Sequence, residues 1–173
     1  MAAKDKRVLI FAENDYEDLE LLYPKLRLIE AGVQVTVAGP REKVYKSKHG
    51  YPVETDGNVA DFNPADFDGV VIPGGWCPDR LRRYEEVLSF TREIANAGKL
   101  VGAICHGGWV MVSADILRGR RCTSVGAIKD DMKNAGGNWV DEPIVVDGGL
   151  VTAQVPKDLP AFCREMLAVL EQQ

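Results

Sequence analysis

Apolar positions in this chain follow two alternating patterns. Residues 8–12, 33–38, 69–72 and 100–104 are short, nearly unbroken apolar runs with the length and β-branched content of buried strands. Between them lie longer stretches in which apolar residues recur at helical spacing. Residues 17–31 place Leu19, Leu22, Leu26 and Ile29 on one stripe and stop at Gly32, while Pro24 predicts a kink or break near Leu22–Tyr23. Residues 78–97 read as a helix broken once near Tyr84–Glu85 and closed by Gly98. Further helices are predicted over 108–117, 130–135 and 156–170, the last with Pro156 near its first turn. Two hairpins complete the pattern. One spans 43–55 and turns at His49–Gly50; the other turns at Asp147–Gly148–Gly149 between 144–146 and 150–152. Asn63–Pro64–Ala65–Asp66–Phe67 reads as a short capped turn.

Strands that alternate with helices through short connections, and that are apolar on both faces, predict an α/β fold. The expected form is a mostly parallel sheet in a three-layer sandwich, with helices on both faces. The 173 residues suit one domain, 1–173, and neither a repeat nor a linker divides it.

Composition narrows the function. The formal net charge is −5 and the pI about 5.1. The only basic clusters are Arg80, Arg82 and Arg83, with Arg118, Arg120 and Arg121, so no nucleic-acid partner is expected. No apolar run approaches the ~18 residues of a membrane span, and the run after Arg7 is too short for a signal-peptide core. The chain is therefore expected to be cytoplasmic, with no membrane partner and with its four cysteines, Cys77, Cys105, Cys122 and Cys163, as free thiols. Their spacing matches no zinc or dithiol motif, and with only His49 and His106 available no metal and no cofactor is expected.

The chemistry concentrates where strand 100–104 ends, at Cys105–His106–Gly107–Gly108. A cysteine on a tight strand-to-helix turn has the layout of a nucleophile elbow, and the positive end of the following helix is expected to lower its pKa. In open α/β sheets ligands bind beyond the carboxyl ends of the strands. The loops Glu13–Asn14–Asp15–Tyr16–Glu17 and Pro73–Gly74–Gly75–Trp76 should therefore converge on Cys105. Glu17 is a candidate to share a hydrogen bond with the thiol, or else a first-turn helix residue facing the dipole. Gly74 and Gly75, with the N–H of His106, can form an oxyanion hole. His106 can act as general acid and base, although a ring next to the nucleophile in sequence does not easily fold back on it. Trp76 and Trp109 can wall the pocket. Cys77 can be a second redox-active thiol, and Cys122 and Cys163 read as structural.

With these residues in view, the chain resembles the PfpI-type intracellular protease family. That family lies within the superfamily of the parkinsonism-associated deglycase and has a flavodoxin-like, class I glutamine amidotransferase-like fold. The likeness runs from about Arg7 to Leu170. It rests on Tyr16–Glu17–Asp18, Lys48–His49–Gly50–Tyr51, Phe67–Asp68–Gly69, Pro73–Gly74–Gly75, Ala103–Ile104–Cys105–His106–Gly107, Leu117–Arg118–Gly119–Arg120, Asp131–Met132–Lys133–Asn134–Ala135–Gly136 and Val145–Val146–Asp147–Gly148. The resemblance implies Cys105 as nucleophile, His106 as its partner, Glu17 as the carboxyl that tunes the thiol, and an oxyanion site at the backbone of Gly75 and His106. It also implies that Asp79 reaches the histidine of a neighbouring subunit, hence a homodimer or hexamer. Two positions depart from the family pattern. Archaeal members similar to this chain have Glu where it has Asp79, while bacterial stress-protein members have Asp, and Gly108–Trp109 stands where Pro-Gln is usual. The implied activity is stress-protective carbonyl chemistry, as a glutathione-independent glyoxalase or protein deglycase acting on small carbonyls or glycated substrates. The alternatives are a cysteine peptidase acting on peptides, or a non-enzymatic redox-sensing or chaperone protein.

Overall fold

Each apolar run becomes a buried strand, and the order in which the strands pair decides where the site lies. The structure is a computed structural model describing residues 3–173; Met1 and Ala2, part of the lead into the first strand, lie outside the described residues. In chain order the elements begin β1 (Arg7–Phe11), α1 (Asp18–Glu30), β2 (Gln34–Gly39), β3 (Val44–Lys46), β4 (Pro52–Glu54), β5 (Gly57–Asn58), β6 (Gly69–Ile72) and α2 (Cys77–Leu81). They continue α3 (Glu85–Asn96), β7 (Leu100–Ile104), α4 (Gly108–Ser113), β8 (Arg121–Cys122), α5 (Lys129–Asn134), β9 (Asn138–Trp139), β10 (Ile144–Asp147), β11 (Leu150–Ala153) and α6 (Leu159–Gln172).

Seven strands form one sheet in the order β10-β11-β7-β6-β1-β2-β5. Every pairing is parallel except β10 with β11, the hairpin at Asp147–Gly149. The chain leaves β1 toward β2 and later returns to its other side through β6 and β7. The strand order therefore reverses between β1 and β6, the place where open α/β sheets bind ligands. α1 and α6 pack together on one face, and α4 packs with α2 and α3 on the other. The layer beneath α3 contains a run of edge-to-face aromatics, Phe11 against Phe90 at 5.9 Å and Phe90 against Phe67 at 5.6 Å. The three-layer architecture agrees with the sequence reading.

Local differences have physical causes. α1 is one helix running through Pro24, without the predicted break. Its apolar stripe is also out of phase with the core: Leu19, Leu26 and Ile29 are 55%, 65% and 49% exposed, whereas Glu20, Leu21, Pro24 and Leu28 are buried. α4 ends at Ser113, short of the predicted Leu117, because Asp115 takes a left-handed conformation (φ 55°) that no helix continues through. The short pairs β2–β5 and β8–β9 carry too few residues to show any period in the sequence.

Candidate active site

The carboxyl ends of β1, β6 and β7 are neighbours in the sheet, so the three predicted loops do meet. The loop after β1 is tied to the loop after β6 by backbone bonds. Glu17 N–H donates to Gly74 O at 3.1 Å and Trp76 N–H to Asp15 O at 2.9 Å. These bonds hold Gly75 at φ 78°, where a Cβ would lie 2.5 Å from both Asp15 O and Glu17 N. Only glycine accepts that backbone and that approach. Gly75→Ala is therefore expected to cost about 2–4 kcal/mol and to move the loop off the site. A thermal melt together with a thiol-alkylation rate checks both effects.

Cys105 follows β7 directly and has φ 59°, a left-handed conformation costing roughly 1–3 kcal/mol for a non-glycine residue. The strain aims its side chain at the loop crossing rather than into the sheet. The backbone N–H groups of His106 and Gly75 both hydrogen-bond to the sulfur. Gly74 does not serve as a donor there, as the sequence reading had it, because its N–H is committed to Glu20 Oε2 at 2.7 Å. Gly107 is placed for packing: a Cβ there would lie 2.6 Å from Ile72 O.

The carboxyl beside the thiol is Glu20, not Glu17. Glu17 caps α1, and its Oε2 accepts from Glu20 N–H at 3.0 Å, so its side chain is folded back on the helix start. Lys48 Nζ stands 3.9 Å from its other oxygen. Glu20, one turn further on, is fully buried, and its Oε1 has no hydrogen-bond partner among the described residues. Its carboxyl lies beside Cys105: a Cβ on Gly74 would lie 2.3 Å from Glu20 Oε2 and 2.8 Å from Cys105 Cβ. Burial, with the nearby Glu17 charge, pushes the Glu20 carboxyl up to about 7. The sequence did carry a signal for Glu20: it shares one face with Leu21, Pro24 and Leu28, where a lone carboxylate needs a reason.

The Cys105 thiol is pushed up to about 12, first by burial and then by the Glu20 charge. This reverses the lowering anticipated from a helix N-terminus. α4 has only six residues and is entered through a tight turn at Cys105–Gly107, so the two N–H bonds to the sulfur do not outweigh desolvation. At rest the proton sits on sulfur.

His106 does reach back to the nucleophile, with Nδ1 at 3.4 Å from Sγ, because the turn at Cys105–Gly107 brings both side chains to one side. Burial and the Lys48 ammonium hold its pKa below the usual histidine value, so the ring is neutral at pH 7. Lys48 is a second neighbour of the site that the sequence reading did not single out. Trp76 and Trp109 flank the ring at centroid distances of 5.4 and 5.0 Å. Asp79 lies in the first turn of α2, pairs with Arg83 one turn on, and makes no contact with His106 of its own chain. Cys77 is fully buried with Sγ 3.4 Å from Gly74 O, and burial pushes its thiol well up. Cys122 and Cys163 are buried, and all four thiols are free.

Among the described residues, Glu17, Asp18 and His49 bring potential metal-ligand atoms within 4.8 Å of one another. Their atoms are already engaged. Asp18 accepts from Ser47 Oγ at 2.6 Å and pairs with His49 Nδ1 at 2.8 Å, and the Lys48 ammonium stands beside Glu17. No helix among the described residues is long and apolar enough to cross a membrane.

Comparison with known proteins identifies a family and relatives for this chain. The sequence profile of the DJ-1/PfpI family matches residues 6–169. A protein named as a deglycase in Pyrococcus abyssi is 46% identical over 165 residues, 95% of this chain and 99% of the relative. The protein/nucleic acid deglycase 2 of Escherichia coli is 41% identical over 168 residues, 95% of this chain and 98% of the relative. Among solved structures, a two-domain Anabaena variabilis protein with DJ-1/ThiJ/PfpI-like and ferritin-like domains superposes with a TM-score of 0.94 at 41% identity. The match covers 96% of this chain and spans 48% of that longer protein.

Proposed function

Because the chain belongs to the DJ-1/PfpI family, we propose that it is a cysteine-dependent enzyme acting on reactive carbonyls, as a glutathione-independent glyoxalase and deglycase. The observation that carries this reading is the surroundings of Cys105 Sγ: a strained elbow, a buried carboxyl beside it, and two backbone N–H donors. As sulfur attacks an aldehyde carbon, its proton passes to the Glu20 carboxylate. The new oxyanion takes the N–H groups of Gly75 and His106. With a 2-oxoaldehyde, neutral His106 then carries the C1 proton to C2. The hemithioacetal becomes a 2-hydroxyacyl thioester by internal oxidation and reduction, and water hydrolyses it to a 2-hydroxy acid and free thiol. With a glycated amine, sulfur displaces the amine from the aminocarbinol carbon and the same steps follow.

Trp76 and Trp109 wall the approach to the sulfur in this reading. Asp79, half-buried at the start of α2, is the group that completes the site across a contact with a second copy, in a homodimer or hexamer. Asp79→Asn is then expected to lower kcat about tenfold or more at an unchanged oligomer mass, measured by light scattering. A thiol pushed up to about 12 gives no support to a low-pKa redox sensor. The test uses Nα-acetyl-lysine and Nα-acetyl-cysteine freshly modified with methylglyoxal, alongside fluorogenic unstructured peptides. Release of the free amino acids without peptide cleavage supports the proposal; peptide cleavage alone overturns it in favour of a peptidase.

A further inference from the structure

Among the described residues the His106 ring meets one hydrogen-bonding atom, the Cys105 sulfur. Its Nδ1 faces Cys105, and among the described residues no group pairs with its Nε2. The two indoles beside it are fixed very differently. Trp76 precedes α2 and is 59% exposed. Trp109 is anchored: its Nε1–H donates to Asp131 Oδ2 at 2.8 Å. The Arg82 guanidinium lies 5.6 Å from its ring centroid and is itself fixed by a 2.8 Å bond to Ser113 Oγ. Gly108 belongs to the same arrangement. A Cβ there would lie 2.6 Å from Met132 Sδ, so glycine lets α4 lie close against α5, which brings Asp131 to the indole. The pair Gly108–Trp109, where this chain departs from the resemblance noted above, thus acts as a unit.

We infer that Trp109, anchored by Asp131, is a positioning residue that holds the His106 imidazole with Nδ1 toward the Cys105 sulfur. Only the kinetic part of this inference rests on the proposed function. The indole, tilted 59° to the imidazole at 5.0 Å, also covers one side of it, which works in the same direction as the burial that lowers the His106 pKa. The other charged or titratable groups about the ring are Lys48 from the β3–β4 connection, the thiol of Cys105 with Glu20 behind it, and Arg82 and Asp131 beyond Trp109.

The chain has only two histidines, so NMR titration of the full-length protein with labelled histidine resolves both rings. His49, paired with Asp18, is the internal control. Trp109→Gln and Asp131→Ala are expected to raise the His106 pKa and leave His49 unmoved. Both should lower kcat for a carbonyl substrate about tenfold with little change in KM. Asp131→Asn, whose amide oxygen still accepts from the indole N–H, is expected to restore both readouts. Asp131 is exposed, so its variants test the idea even where a Trp109 variant misfolds. A lowered melting temperature with an unmoved His106 titration in Asp131→Ala overturns the inference and leaves Trp109 a packing residue. Absence of any carbonyl turnover in the unaltered protein overturns the proposed function instead, and the titration still decides this one.

Discussion

Cys105→Ser is expected to lower carbonyl turnover by about 10⁴-fold or more while leaving the fold and its stability nearly intact. The loss follows from the position. Cys105 Sγ is the atom on which the Gly75 and His106 N–H groups and the Glu20 carboxyl converge. A serine oxygen there keeps the hydrogen bonds but is a far weaker nucleophile toward a carbonyl and is harder to deprotonate against a carboxylate. The three other thiols cannot substitute, because each is buried. Steady-state turnover, with circular dichroism and a thermal melt of the same preparations, checks the expectation. Activity retained in Cys105→Ser would remove the cysteine from the chemistry altogether.

Glu20→Gln is expected to move activity and stability in opposite directions. Turnover should fall about 10²- to 10³-fold, because the amide cannot accept the thiol proton. In the parent, turnover should rise with pH through about 7 as Glu20 ionises, and that limb should vanish in the variant. Stability runs the other way. The folded carboxyl titrates near 7 against 4.5 for the ordinary group, so the native state holds a proton that the unfolded chain has released. The stabilising contribution of that protonated form is complete below pH 4.5 and is lost as pH rises through about 7. At alkaline pH, Glu20→Gln should therefore be more stable than the parent by up to about 3 kcal/mol. The glutamine oxygen can still accept from Gly74 N–H. With the charge that keeps the proton on sulfur removed, Cys105 should also alkylate faster with iodoacetamide at neutral pH. Glu17→Gln, by contrast, keeps an oxygen at the helix start and should cost about 1 kcal/mol or less, while removal of its charge should shift the Glu20 limb to lower pH. Denaturant titrations at pH 5 and pH 8.5 separate the two glutamates.

The contrast between these residues shows where the sequence was readable. Buried strands announce themselves as unbroken apolar runs, and a parallel sheet brings their carboxyl ends together whatever the loops contain. The meeting of residues 13–17, 73–76 and 105–107 therefore followed from pattern alone. Which side chain of a loop points inward is a question of helix phase. α1 carries Leu19, Leu22, Leu26 and Ile29 on a stripe that outcompetes, to the eye, the true inner face of Glu20, Leu21, Pro24 and Leu28. Reading the wrong phase puts the carboxyl at the cap, Glu17, instead of one turn inside, at Glu20. The thiol pKa went astray for a related reason. Helix polarity is visible in sequence, while desolvation by the assembled loops is not, and here burial and Glu20 outweigh the N–H donors. The reach of His106 to Cys105 likewise depends on a left-handed φ of 59° at a non-glycine residue, which composition does not reveal.

The proposed chemistry has the Cys105 thiol act on carbonyls with groups supplied by the protein itself, without glutathione. Its most direct test is proton NMR of the full-length protein and of Cys105→Ser with methylglyoxal in thiol-free buffer. Lactate is expected from the parent and none above background from the variant. Equal lactate from both, or none from either, would contradict it.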